Sequence, residues 1–390
     1  MVVDQLHMES SGRRLRFDHF LVASILLLTG LGLVTLYSAS YAFAGRLFGD
    51  PHYFISRQVI LGAVGIGFFI IASIIPLKLL RKFIMPLVLG AVGLCLLTFI
   101  PGIGVSKNGA ARWIQIGASN YQPSELVKLV LPLYLAHIFD KKREQIDVFT
   151  AGVLPPALVV TLFFVLIYLQ NNFSTALFIA VNALFIFFLA GVKLRYFFGA
   201  AVILLPISAY MVLTREHRLR RLISYIWPDL EPLGAGYQVR ASVLTIGSGG
   251  VWGKGIGQGT RKMASVPEIQ SDFIFSAYAE EFGLVGILLF YLVFFFFALR
   301  GYRAALRSDD GFKRLLALAL VTIIVSQALA NIAVVSGAIP TTGIPLPFFS
   351  AGGSSLATTL TIAGLIVNIS RHTGESEHPA RFSAEVSRGY

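Results

Sequence analysis

Charge is what this 390-residue chain has least of: 13% of its residues are Asp, Glu, Lys or Arg and 56% are hydrophobic, where a soluble domain carries about 25% charged residues. With a mean hydropathy of +0.75, the shortage excludes an ordinary soluble enzyme and predicts a polytopic membrane protein. Cysteine is nearly absent. Its single instance, Cys95, lies in an apolar stretch, which excludes an intrachain disulfide and a cysteine metal site. The seven histidines are scattered, and none stands in an HExxH or similar spacing. No cleavable signal peptide is evident, because the first apolar run, from about His19 to Ser40, has the roughly 20-residue length of a membrane span. No clear internal repeat is visible, which argues against the common transporter folds built from repeated halves. A net charge of +12 does not point to nucleic acid. The basic residues mostly flank apolar segments and read as topogenic charge and lipid-headgroup contact.

What the chain does have is a series of apolar segments, near 19–40, 57–76, 83–100, 124–139, 151–169, 173–190, 196–213, 272–299, 315–338 and 350–370. These predict an all-α polytopic membrane protein of about ten transmembrane helices. A long extracytoplasmic loop, 214–271, is expected between helices seven and eight. With Arg13, Arg14 and Arg16 in the cytoplasm, alternate connections carry Lys78, Arg81 and Lys82, then Lys141, Lys142 and Arg143, then Lys193 and Arg195, then Arg300, Arg303 and Arg307. Both termini are then cytoplasmic, 1–18 and 372–390, around a membrane domain of 19–371. The basic loop 214–271 is the exception, and loops near 60 residues are where the rule weakens.

Four polar segments fall on the outer side. In Pro101 to Lys128, Glu125 and Lys128 are three apart and share a helix face. They form either a structural ion pair or, with Lys128 or Arg112, a substrate site. The loop 214–271 is rich in Arg and Lys, and its GSGGVWGKGIGQG run fails the Walker spacing: Ser248 stands where Gly is needed and Gly255 where Ser or Thr is needed. Its glycines leave two readings, a backbone cradle for pyrophosphate or a surface loop that attracts anionic headgroups. In Pro267 to Gly283, Asp272 borders an apolar run. An unpaired carboxylate there costs several kcal/mol in hydrocarbon. Capping of a helix expected from Phe273 is one reading and an active-site acid the other. Glu280 and Glu281, two turns deeper, are hard to explain as packing. Glu280 is about 12 Å along the axis from Asp272, too far for a carboxylate dyad at one bond. In Gly337 to Ser355, three prolines and Gly352-Gly353 break any regular helix, as a kink or a cavity lining.

These four motifs, in this order, resemble the shape, elongation, division and sporulation (SEDS) proteins, the group of FtsW and RodA. The motifs are GAARWIQIG with QPSELVK, GYQVRAS with GSGGVWGKGIGQG, PEIQSDFIFSAYAEEFG, and PTTGIPLPFFSAGGSS. The wording GIPLPFFSAGGSS leans to the FtsW-like division branch. The resemblance implies a ten-helix peptidoglycan glycosyltransferase that polymerises lipid II into β-1,4 glycan strands outside the cytoplasmic (inner) membrane. It places the family's essential aspartate on Asp272. Other motif positions fall on Arg112, Trp113, Gln122, Glu125, Lys128, Arg221, Tyr237, Gln238, Lys262, Glu268, Glu281 and the Gly352-Gly353-Ser354 turn. The implied partners are a class B penicillin-binding protein that crosslinks the strands, divisome or elongasome proteins, and the lipid-linked glycan strand. Two positions depart from the family wording. Asn171-Asn172-Phe173-Ser174 stands for its Pro-Asp-x-Gly, and Ala241 for its Gln.

The chemistry expected of that family needs a base for the attacking sugar hydroxyl, within about 3 Å, and Asp272 is the candidate. It needs cations for the departing lipid diphosphate, for which Lys128, Arg221, Lys262 and Arg112 are candidates, or a divalent ion, Mg2+ or Mn2+. A lipid II translocase and a non-catalytic scaffold for a transpeptidase are the competing readings. The translocase would need functional polar residues through the full membrane depth, whereas here they cluster on one side.

Overall fold

The structure is a computed structural model that describes residues 18–107, 110–117, 119–227, 235–260 and 268–372. Each of the ten expected segments forms a helix: α1 (His19–Phe48), α2 (Tyr53–Ile74), α4 (Ile84–Leu97), α5 (Pro123–Lys141), α6 (Leu154–Leu169), α7 (Phe173–Leu189), α8 (Leu194–Leu213), α11 (Ile274–Leu306), α12 (Gly311–Val335) and α13 (Gly353–His372). A short α3 (Leu77–Lys82) joins α2 to α4. Seven are long and apolar enough to cross a membrane: α1, α2, α6 with the π turn before it, α8, α11, α12 and α13. The helices α4 and α7 are apolar but shorter. The tenth, α5, carries Glu125 and Lys128.

Local sequence sets several boundaries. Asp18 caps α1 by accepting from Leu21 N at 3.0 Å and meets Arg300 at 2.7 Å, which ties the start of α1 to the far end of α11. Gly49, at φ +71, ends α1. Asp310 caps α12 through Lys313 N at 3.0 Å. Between α2 and α13, small residues take the place of a hydrophobic driving force. Gly62 and Gly65 sit under Leu356 and Leu360, and Gly364 lies against the backbone of Phe69. The helix α8 differs from the rest: none of its residues is buried.

To the helices the structure adds a three-stranded antiparallel sheet in the Pro101 to Lys128 segment: β1 (Gly104–Lys107), β2 (Ala110–Ile116) and β3 (Ser119–Tyr121), in the order β1-β2-β3. Gly104 faces Ile114, and Ile114 faces Tyr121. Alternation in this run puts Ala110 and Ile114 on the buried face. The described part of the 214–271 connection is not irregular either. It folds into α9 (Glu216–Ile226) and α10 (Ala235–Ser248). In α9, Leu219, Leu222, Ile223 and Ile226 recur at helical spacing opposite the arginines.

Gly283 breaks α11, with φ +64 and ψ −162. The glycine-rich run docks on that break main chain to main chain. Lys254 N donates to Glu280 O and Gly255 N to Glu281 O, both at 3.0 Å, while Leu284 N reaches Gly250 O at 2.9 Å. The amides of Lys254, Gly255 and Gly257 are therefore spent inside the protein, and the pyrophosphate cradle read from the glycine-rich run loses those donors. The adjacent carboxylates have packing reasons as well. Buried Glu280 meets Lys254 at 3.0 Å. Glu281 accepts from Gly257 N at 3.0 Å and from the Ser38 hydroxyl.

Candidate active site

The helix α11 begins at Ile274. Phe273 holds the cap position, with no side-chain capping bond. The carboxylate of Asp272 is therefore not used as a helix cap, contrary to that reading of the sequence. Asp272 stands in the turn before α11 and is half-buried. Its main chain is fixed by the irregular segment and by α12. The amide of Asn331 donates at 2.8 Å to Asp272 O and, at the same distance, to Ile344 O. One residue before, Ser271 O accepts from Ser350 Oγ at 2.6 Å, and Gln270 O accepts from Ala351 N at 2.8 Å. Gln58 closes the segment from α2, donating to Ser350 O at 3.1 Å and accepting from Gly352 N at 3.2 Å. The prolines and glycines of 337–352 thus form irregular backbone buried in protein, the setting in which a membrane tolerates it. Gly343, at φ +73, leaves the carboxylate open: a side chain there would stand 3.5 Å from Asp272 Oδ2.

Burial pushes the Asp272 carboxyl up, Glu268 adds to this, and Arg221 and Arg112 oppose it, with the result at about 6. Arg221, on α9, donates to Thr341 O at 3.2 Å. Arg112, on β2, donates to Asn171 O at 2.8 Å. Glu268 is exposed, at φ +56, and accepts from Ser271 Oγ at 3.1 Å. The described non-glycine residues with positive φ are Asn171, Glu268 and Phe348. All three lie in the connecting segments at this end of the bundle, and each costs on the order of 1 kcal/mol that the surrounding contacts must hold in place.

The structure brings Asp272, Arg112, Arg221 and Glu268 within electrostatic reach of one another. Lys128 is placed differently. It is 4% exposed, paired with Glu125 at 2.7 Å and donating to Gln327 Oε1 at 2.9 Å. Gln327 in turn donates to Pro345 O at 2.9 Å. Gln122 bonds Ser124 Oγ at 3.0 Å at the start of α5. Tyr237 is exposed and Gln238 half-buried on α10. Ser354 is half-buried in the first turn of α13. Glu281 lies beyond two turns of α11 in the packing described above. Lys262 lies outside the described residues. A cavity of about 270 Å³ opens beside Arg221, lined also by Tyr225, Val239, Arg240, Pro340 and Thr341.

Gln327 and Asn331 were not picked out by sequence reasoning. Their signal is there, as two amides one turn apart in the otherwise apolar run of α12.

Comparison with known proteins places this arrangement. Residues 18–375 match the family model FTSW_RODA_SPOVE, described as a cell cycle protein. A probable peptidoglycan glycosyltransferase FtsW of Geobacter metallireducens is 39% identical over 355 residues, 91% of this chain and 95% of that protein. The stage V sporulation protein E of Bacillus subtilis is 35% identical over 91% of this chain and 97% of its own. Among solved structures, the RodA rod-shape-determining protein of Thermus thermophilus superposes with a TM-score of 0.68 at 25% identity, covering 92% of this chain and 98% of that one. A chain from a structure described as the structural coordination of polymerization and crosslinking by a peptidoglycan synthase complex gives 0.74 at 26% identity, with the same coverage. The chain is a multi-pass membrane protein and belongs to the FtsW, RodA and SpoVE family.

Proposed function

We propose that this protein is a peptidoglycan glycosyltransferase that polymerises lipid II into β-1,4 glycan strands, with Asp272 as general base. The observation that carries the reading is the placement of Asp272. Its carboxylate is not used as a helix cap, its backbone is fixed by α12 and the irregular segment, and it lies within electrostatic reach of Arg221, Arg112 and Glu268. A sugar hydroxyl is a poor nucleophile until its proton is removed, and a base with a pKa near the working pH does this best. At neutral pH a carboxyl at about 6 is mostly ionised and still basic enough to accept.

In the reaction, the 4-hydroxyl of a GlcNAc attacks the anomeric carbon of a MurNAc held on a lipid diphosphate. Its proton passes to Asp272, and the bond from the anomeric carbon to the diphosphate breaks with inversion. Undecaprenyl pyrophosphate departs with the electron pair. The guanidinium groups of Arg221 and Arg112 stabilise the charge that develops on it. Lys128, neutralised by Glu125, holds α5 to α12 and the irregular segment in place. A divalent cation fits only as a ligand shared with substrate: the described residues contain no group of three metal-ligating side chains, and Mg2+ takes one or two carboxylates with phosphate oxygens and water. Asp272 and Glu268 would hold it, and it would add positive charge beside the diphosphate.

A class B penicillin-binding protein is the proposed partner, supported by the likeness to a chain of a peptidoglycan synthase complex. Relatives named FtsW at 38–39% identity support the division branch over elongation. The site faces the outside of the cytoplasmic membrane, and both termini lie inside. Purified protein incubated with lipid II tests the reaction. Polymer from wild type and none from folded Asp272→Asn supports it, whereas undiminished polymer from Asp272→Ala removes Asp272 as the base.

A further inference from the structure

Four cations among the described residues come with carboxylates. Lys128 has Glu125, Lys254 has Glu280, Arg300 has Asp18 and Arg81 has Asp140. Three arginines on the outer side do not. Arg112, Arg218 and Arg221 meet no Asp or Glu oxygen within 4.0 Å among the described residues. Their hydrogen bonds go to main-chain carbonyls: Asn171 O, Met211 O and Thr341 O. They also crowd one another. Burial first, and then Arg221 and Arg218, lower the basicity of Arg112, while Arg218 does the same to Arg221. Like charges gathered in a half-buried place are costly unless something of opposite charge completes them.

Arg112 and Arg218 stand around one turn, Tyr168–Phe173, between α6 and α7, and Arg221 is within electrostatic reach of both. Arg218, 7% exposed, lies 4.9 Å from the ring centres of both Tyr168 and Phe173. Asn172, 5% exposed, lies between the residue that Arg112 bonds and the ring that Arg218 covers. Arg112 Nε, Arg218 Nε and Asn172 Nδ2 are buried and have no hydrogen-bond partner. These three atoms are donors and outnumber the one unpartnered acceptor of the turn, Gln170 Oε1, so most of what is missing is an acceptor.

We infer that the Tyr168–Phe173 turn, with Arg112, Arg218, Arg221 and the amide of Asn172, is the seat of a diphosphate carried on a prenyl lipid. Three guanidinium charges against the carboxylates of Asp272 and Glu268 leave the place net positive, the sign that suits a diphosphate. Guanidinium forks suit phosphate oxygens geometrically. Arg221 also borders the cavity of about 270 Å³ whose other wall includes Val239, Val243 and Leu244, an apolar path for the first part of a lipid chain. The inference rests on the polymerase reading for the identity of that lipid and assigns Arg218 and Asn172 a part in it. Lys128 has none, because its charge is already met.

The test uses the full-length protein in nanodiscs and measures binding of undecaprenyl pyrophosphate, with inorganic pyrophosphate and undecaprenyl monophosphate as competitors. Arg218→Gln weakens binding about tenfold or more, the value of a charge-assisted hydrogen bond. Asn172→Leu moves two readouts in opposite directions. It removes a buried donor that has no partner, so the melting temperature is equal to wild type or higher while affinity for the diphosphate falls by a similar factor. A merely structural asparagine would not separate the two. Displacement by inorganic pyrophosphate assigns the seat to the diphosphate itself, and displacement only by the prenyl-carrying form assigns it to the lipid headgroup. Affinity within a factor of two of wild type in Asn172→Leu overturns the inference, even where Arg218→Gln fails to fold. Wild type that binds the probe but makes no polymer from lipid II keeps the seat and removes the polymerase reading. Polymer from wild type, with both variants binding as it does, removes the seat alone.

Discussion

At the scale of single residues, the position of Asp272 is costly to the fold and suited to the proposed reaction. Its carboxyl titrates at about 6 in the folded protein against 3.8 ordinarily, so the folded state resists ionisation. The stability that the protonated form contributes is complete below 3.8 and is lost as pH rises through about 6. Asp272→Asn therefore abolishes polymerisation and at the same time raises stability at pH 7, by roughly 1–2 kcal/mol once partial exposure is allowed for. Thermal unfolding beside a lipid II assay reads both effects. The same titration governs rate. The value of kcat/KM falls as pH drops through about 6, because the base is lost. Glu268 is one cause of the upward shift, so Glu268→Gln moves this acid limb to lower pH. A pH–rate profile of the two proteins measures the displacement, and coincident limbs would disprove the coupling.

At the scale of elements, α12 works as a bracket. Lys128 on α5 reaches Gln327, which reaches Pro345 O, and one turn on Asn331 holds both Ile344 O and Asp272 O. Asn331→Leu leaves two buried carbonyls without a donor, a cost of about 2–4 kcal/mol, and frees the turn that carries the base. Activity should then fall further than stability alone explains, as a lower kcat in the protein that remains folded. Lys128→Met leaves Glu125 as an uncompensated buried charge and destabilises by about 3–5 kcal/mol. Adding Glu125→Gln recovers much of that loss, and a double-mutant cycle in thermal unfolding tests the non-additivity. The ten apolar runs announce their helices through composition alone, which is why every one was legible in the sequence. The sheet at 104–121 was not, because its strands are three to seven residues long and carry a pattern too brief to stand out. The helix α9 could have been read from Leu219, Leu222, Ile223 and Ile226, but its arginines draw the eye to charge. The carboxylates Glu280 and Glu281 resisted explanation because their partners, Lys254, Ser38 and Gly257, are 24 to 243 residues away in sequence. Nothing local signals such contacts.

At the scale of the whole molecule, the distribution of polar chemistry is one-sided. The irregular segment, the sheet, α9, α10 and Asp272 gather at one end of the bundle, and the basic connections Arg81–Lys82, Lys141–Arg143 and Arg300–Arg307 at the other. The proposed sidedness has a clean test because the native cysteine, Cys95, is buried. A cysteine introduced at Trp252, which is 82% exposed, should react in intact cells with a maleimide that cannot cross the membrane. One introduced at exposed Asp309 should react only after permeabilisation. The reverse pattern would turn the molecule over and place Asp272 on the wrong face.

The interruption at Gly283 bears on how this protein meets its lipid. Without it, the 33 residues from Ile274 to Leu306 would make a rigid rod of about 50 Å, far longer than a hydrocarbon layer of roughly 30 Å. With it, the limb after the break is about 34 Å long, close to the thickness it must span. The glycine-rich run bonds both limbs, through Glu280 O and Glu281 O before the break and through Leu284 N and Val285 N after it. The joint is therefore clamped, and the turn that carries Asp272 is held at a set height relative to the start of the membrane-spanning limb.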